Sequence, residues 1–191
     1  MRGATVRSIK LPNMQAARMS HAFKITSEFA MGWDGLYSSL ADLEPATRIT
    51  VSLGSTTTAL EVLAAEKMRA YFMKHWNDLF DSGVDVVLTP TTGVTAPRIP
   101  SNFDYATGES NTVLSVNLLK FVFPGNFLGL PGVAVPIGFD KGGDGMPISM
   151  QINGRQWEED KALRVADAVA AVVEENKWQT KVPADRINLL A

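Results

Sequence analysis

Hydrophobic positions recur along the chain with two periods, and the periods mark out the elements. Residues 4–12, ATVRSIKLP, alternate and end at a proline, which predicts a strand. Residues 13–33 predict a helix with Asn13 as its N-cap, although Ala17, Phe23, Ile25 and Phe29 give only a loose apolar face. Residues 32–45 read as loop and turn. The clearest helix lies in STTTALEVLAAEKMRAYFMKHWNDLFDSG, where Thr58 and Glu61 form a capping box. Its Leu60, Leu63, Ala64, Met68, Tyr71, Phe72 and Leu79 fall at helical spacing and are expected to face inward. Asp81-Ser82-Gly83 ends it. VDVVLTP follows, apolar on both faces, as expected of a strand in the middle of a sheet with helices on either side.

The second half continues the alternation of helix and strand. SNFDYATGESN reads as a polar surface loop. TVLSVNLLKFVFPGNFLGL reads as helix, broken at Pro124-Gly125. PGVAVPIGFD and ISMQINGR predict two strands joined through the glycine-rich KGGDGMP, which makes a β-hairpin. EEDKALRVADAVAAVVEENK predicts a closing helix with Leu163, Ala166, Val169, Ala170, Val172 and Val173 inward. Helices separating apolar strands argue for the α/β class, a mixed twisted sheet flanked by helices with at least one antiparallel pair.

Composition narrows the function without supplying one. A hydrophobic content of 46% and a net charge of −2 are ordinary for a globular protein. Acids and bases are mixed and no basic stripe appears, so nucleic acid is not expected as a partner. The chain has no cysteine, which excludes disulfides, thiolate metal sites and a cysteine nucleophile, and suits a reducing compartment. The first 20 residues lack the apolar core of a secretory signal, and the longest apolar stretch is interrupted by Asn117, Lys120, Asn126 and prolines. An intracellular protein, cytoplasmic or peripherally associated with a membrane, is the expectation.

Several groups invite a chemical reading, and each has a plainer one. Thr89, Thr91, Thr92 and Thr95 lie at the C-terminal end of a strand, where α/β sheets place ligands. They also suit loop threonines that bond their own backbone. A threonine nucleophile needs an adjacent base, and none stands nearby in sequence. His21 and His75, the 2 histidines, lie on different helices and suit packing as well as catalysis. No spacing suggests a metal site, and no cofactor is implied. GSTTT, from Gly54, reads as a helix cap rather than a serine nucleophile, and GGDG lacks the lysine of a phosphate loop. The aromatic-rich run Phe121, Phe123, Phe127, Leu128 before Gly129 and Gly132 suits either core or one wall of an acyl or aromatic pocket.

Taken together, DVVLTPTT, then NFLGLPGVAVPIGFD, then GMPISMQINGR and a final helix resemble the C-terminal third of the amidase signature family. VVLTPTTGVTAPRIP and RAYFMKHWNDLF look most like its plant-type fatty acid amide hydrolase branch. The resemblance implies the C-terminal part of the amidase signature fold, with residues 1–191 as a single partial amidase domain. It also implies hydrolysis of carboxylic or fatty acid amides by a Ser–Ser–Lys triad with a backbone oxyanion hole. No GGSSGGS-like loop is present, and Lys10, Lys24, Lys67, Lys74 and Lys120 match nothing in that triad, so no catalytic residue carries over. Thr91 and Thr92 are expected at the pocket floor, and Phe121 and Phe127 in the acyl-binding wall. Gln151, Gly154 and Arg155 match a late motif to which a structural role is given.

These readings lead to expectations for the whole chain. It is expected to be a fragment, a truncated product or one part of a longer enzyme, inactive alone and taking an acyl amide substrate only when the domain is complete. A homo-oligomer or a peripheral membrane contact would cover its apolar surface. Two alternatives stay open: a non-catalytic truncated paralogue acting as an interaction partner, and an unrelated hydrolase using His21 or His75.

Overall fold

A computed structural model describes residues 3–99, 101, 111–140 and 145–178. The order of elements is α1 (Met14–Trp33), a 3-10 turn (Leu40–Asp42), α2 (Pro45–Ser55), α3 (Ala59–Asp81), β1 (Val86–Pro90), α4 (Thr112–Leu118), α5 (Phe123–Leu128), β2 (Gly132–Phe139), β3 (Pro147–Gly154) and α6 (Glu159–Glu175). The strands form a 3-stranded sheet in the order β1-β3-β2, and both ladders are antiparallel.

Side-chain alternation along the strands divides the interior into two layers. Val87 faces a core built with Ala17 of α1, Phe72, Trp76 and Phe80 of α3, and Phe123, Phe127 and Leu128 of α5. Val86 packs on the opposite face, where Val135 and Ile152 meet Ala162 and Ala166 of α6. The α/β class therefore rests on one helix covering one face of the sheet and three contributing to the other. A smaller cluster, Ala30, Leu43 and Val51, joins α1 to α2. Gly54 allows that contact, because a Cβ there would stand 2.0 Å from the carbonyl oxygen of Thr26. Lys24 of α1 reaches Glu66 of α3 at 2.7 Å. That ammonium holds the Glu66 carboxyl below its usual range, and Lys24 is itself raised by hydrogen bonds to Glu28 and Glu66.

Several expectations need correcting. Residues 4–12 form no strand. Ile9 and Leu11 instead lean on the first core as an extended segment, held by Arg7, which donates to the Ser82 hydroxyl. Asn13 precedes α1 but does not cap it with its side chain. It adopts a left-handed φ of 55 and donates Nδ2 to the Tyr71 hydroxyl at 2.9 Å. The helix α2 escapes the periodicity, since Thr47, Ile49, Thr50 and Val51 are β-branched and weak helix formers, so its contact with α1 sustains it. Thr58 caps α3 with Glu61 as expected. The buried stripe of α3, however, runs through Ala65, Phe72, Trp76 and Phe80, and leaves Leu60 at 78% exposure. Pro124 and Gly125 lie inside α5, with the proline in its first turn, where its missing N–H costs nothing. In α6, Ala162 rather than Leu163 points inward. Finally, β1 lies at an edge among the described strands, because β3 returns between β1 and β2. The SNFDYATGESN loop and the KGGDGMP turn fall mostly outside the described residues.

Candidate functional site

A cleft of about 480 Å³ opens where β1 ends. Leu88 and Pro90 of β1, Ile148 and Met150 of β3 and Ile137 of β2 form its apolar walls, and Thr92, Gly93, Val94 and Thr95 form the rim. The strand runs out here for local reasons. Pro90 ends the strand, and Thr91 adds one last bond, from its N–H to the Ser149 carbonyl at 3.0 Å. Thr92 then turns the chain by donating its hydroxyl to the Val94 carbonyl at 2.8 Å. Gly93 seats the rim on α4: a Cβ there would stand 2.4 Å from the Asn117 carbonyl oxygen and 3.2 Å from the Lys120 Cβ.

The four substrate-binding candidates do not converge. Thr92 lines the cleft. Thr91 does not, and its hydroxyl, like that of Thr89, is buried without a protein partner among the described residues. Phe121 follows the α4 end that abuts Gly93, half-buried, with the Lys120 ammonium 5.4 Å from its ring centre. Phe127 is 1% exposed and lies in the first core, edge-on to His21 at 5.7 Å. Neither histidine lines the cleft. His21 is held below its ordinary pKa by burial against Phe123 and Phe127, partly offset by the charge of Glu28. His75 packs against Tyr71, with ring centres 4.5 Å apart.

Two residues outside the sequence reading hold the segment that leads into β2. The last carbonyls of α5 lack helical partners. Arg69 of α3 donates Nε to the Phe127 carbonyl at 2.7 Å, and Gln156 donates Nε2 to the Leu128 carbonyl at 3.0 Å. Gly129 then reverses the chain with φ 69, as the glycine pattern suggested. Gln151 of the late motif is buried beside Asn153, to which it donates a 2.9 Å bond, Nε2 to Oδ1. Arg155 pairs with Asp81 at 2.8 Å and so ties β3 to the end of α3. Nothing but long-range pairing signals these contacts, and one sequence does not show it.

A sequence model of the family described as Amidase matches residues 16–163. The chain belongs to the amidase signature family. Among curated relatives it is 38% identical to a fatty acid amide hydrolase of Oryza sativa subsp. indica over 169 residues, covering 87% of this chain and 27% of the relative. It is 37% identical to that of Medicago truncatula over 183 residues, covering 92% of this chain and 28% of the relative. A solved amidase structure shares the fold with a TM-score of 0.73 at 21% identity, covering 88% of this chain and 38% of that one. The chain thus spans little more than a quarter of the plant relatives it matches. No helix among the described residues is long and apolar enough to cross a membrane.

Proposed function

We propose that these residues form the C-terminal portion of a hydrolase of carboxylic or fatty acid amides, and that the cleft at the end of β1 receives part of the acyl group. The observation that carries this reading is the lining. Leu88, Pro90, Ile137, Ile148 and Met150 offer a mostly apolar wall, with Thr89 and Ser149 among them and Thr92 and Thr95 at the rim. The likeness to plant fatty acid amide hydrolases supports it. Thr92 meets the substrate at the rim and Phe121 stands behind it. Thr91 and Phe127 act one layer back, by fixing the floor and the packing. The Ser–Ser–Lys triad and its oxyanion hole come from outside the 191 residues, so this chain alone forms no acyl-enzyme.

The experiment is amide hydrolysis by the purified chain, alone and mixed with the remaining part of the rice relative. A long-chain acyl amide is compared with its acetyl counterpart. The expected result is no turnover by the chain alone and, in the mixture, turnover of the long-chain amide that falls when Ile148 is replaced by Asn. Turnover by the chain alone, or a mixture indifferent to Ile148→Asn, would overturn the reading.

A further inference from the structure

We infer that Ile137 and Ile148 form a partition that sets how long an acyl chain the cleft accepts. The inference rests on the reading of the cleft given above and adds the point at which the chain must stop.

A second cavity, of about 370 Å³, adjoins the first, and Phe139, Asp140, Lys177 and Trp178 stand in its wall. Among the described residues, Ile137 and Ile148 alone line both cavities. They are therefore the boundary between the two spaces.

The backbone shows why these residues stand there. In the β2–β3 ladder Pro136 faces Ser149 and Gly138 faces Ile148, so Ile137 is an extra residue without a partner. A bulge of this kind re-aims a side chain out of the regular alternation. Here it brings Ile137 into one wall with Ile148 of the facing strand. Gly138 completes the bulge with φ 146, a conformation that favours glycine. Trp178 lies over it, and a Cβ on Gly138 would stand 3.6 Å from the Trp178 carbonyl oxygen. The end of α6 holds Trp178 in that place. Lys177 takes a left-handed φ of 53, and the Trp178 N–H returns to the Val173 carbonyl at 3.0 Å. That is the bond of a Schellman turn, which fixes the direction of the residue after it.

The two spaces differ in character. No charged residue lines the first, whereas Asp140 and Lys177 line the second. A chain of methylenes gains by burial in the first cavity until it meets the two isoleucines. Shortening either isoleucine opens the cleft of about 480 Å³ toward the cavity of about 370 Å³. The end of a longer chain then reaches the rings of Phe139 and Trp178.

The test is binding of straight-chain acyl amides of increasing length, measured on the 191-residue chain alone and with the remaining part of the rice relative. In wild type, each added methylene tightens binding about fourfold until the chain meets the partition, and further methylenes add nothing. In Ile148→Ala and in Ile137→Ala the levelling-off moves outward by about two methylenes or more, so the longest amide binds about tenfold tighter than to wild type. An acyl amide brominated at its far end quenches Trp178 in the alanine variants and not in wild type, with Trp178→Phe of each as the control. The wild-type series and its quenching need no variant, so an alanine variant that fails to fold leaves the result decidable. Affinity that climbs without levelling in wild type, or quenching of wild-type Trp178, overturns the partition. So does levelling at one length in all three proteins, which leaves the acyl cleft standing. No binding of any acyl amide by wild type, alone or complemented, removes the functional reading and the partition with it.

Discussion

Replacing Phe127 by alanine tests the division between core and cleft directly. The ring is 1% exposed, lies 5.7 Å from His21 and shares its cluster with Phe72, Trp76 and Leu128. Removing a ring so enclosed costs about 3–5 kcal/mol through lost burial and the cavity left behind. Against a typical total of about 5–15 kcal/mol this is a large fraction. For a chain of this size it lowers Tm by roughly 6–20 °C, at about 2–4 °C per kcal/mol. Phe121, half-buried beneath Lys120, is the internal control, and its alanine variant loses only about 1–2 kcal/mol. The assay is urea unfolding followed by tryptophan fluorescence. Trp76 is a suitable reporter because it is 1% exposed within the same cluster. The midpoint should fall with an unchanged m-value. A loss below about 1 kcal/mol for Phe127→Ala, or one no larger than for Phe121→Ala, would refute the core assignment and return Phe127 to the substrate wall.

Three further perturbations follow from single contacts. Gly54→Ala places a methyl 2.0 Å from a backbone oxygen of α1 and should cost about 1–3 kcal/mol in Tm-derived stability as α1 and α2 are forced apart. Thr58→Ala removes the N-cap that accepts from the Glu61 N–H, and should cost about 1 kcal/mol in urea unfolding, with Thr58→Ser close to wild type. His21 is depressed by burial, so the folded state favours its neutral form. Its contribution is then complete above the unfolded value of 6.5 and is lost as pH falls from there through the lower folded value. The Tm of wild type should drop more than that of His21→Phe between about pH 7.5 and about pH 5.5, and equal drops would contradict the assignment.

What the sequence disclosed and what it withheld differ in physical kind. Local signals were legible: the Thr58–Glu61 cap, the end of α3 at Gly83, the β2–β3 hairpin, the reversal at Gly129. Each depends on residues within a few positions of one another. The faces of helices were less so. Periodicity in α3 is compatible with Leu60 and Leu63 inward, and only the position of α1 and α5 selects Ala65, Phe72, Trp76 and Phe80. The strand expected at residues 4–12 failed because alternation records burial of Ile9 and Leu11, and burial needs no ladder. The candidate cleft was half visible. Its rim follows the TPTT stretch, but Ile137 and Ile148 reach it only because β3 inserts between β1 and β2.

Alternation also explains why adjacent threonines take different parts, and Thr92 allows a separation of roles. Its hydroxyl already donates to the Val94 carbonyl at 2.8 Å, so in the proposed cleft it would meet a substrate only through its acceptor lone pairs or its methyl. Thr92→Val removes the turn bond but keeps the shape. Thr92→Ser keeps the bond and removes the methyl. The bond is exposed, and its loss should cost about 0.5–1.5 kcal/mol at most, read as faster amide exchange at Gly93 through Thr95 with little change in Tm. If the hydroxyl serves only to close the turn, Thr92→Ser restores both the exchange pattern and the affinity of the complemented protein for an acyl amide. If the methyl forms part of the apolar wall, Thr92→Ser restores the exchange pattern alone and the affinity stays reduced. A valine variant with wild-type exchange at Gly93 would mean that packing of this glycine on Asn117, rather than the threonine bond, holds the rim in place.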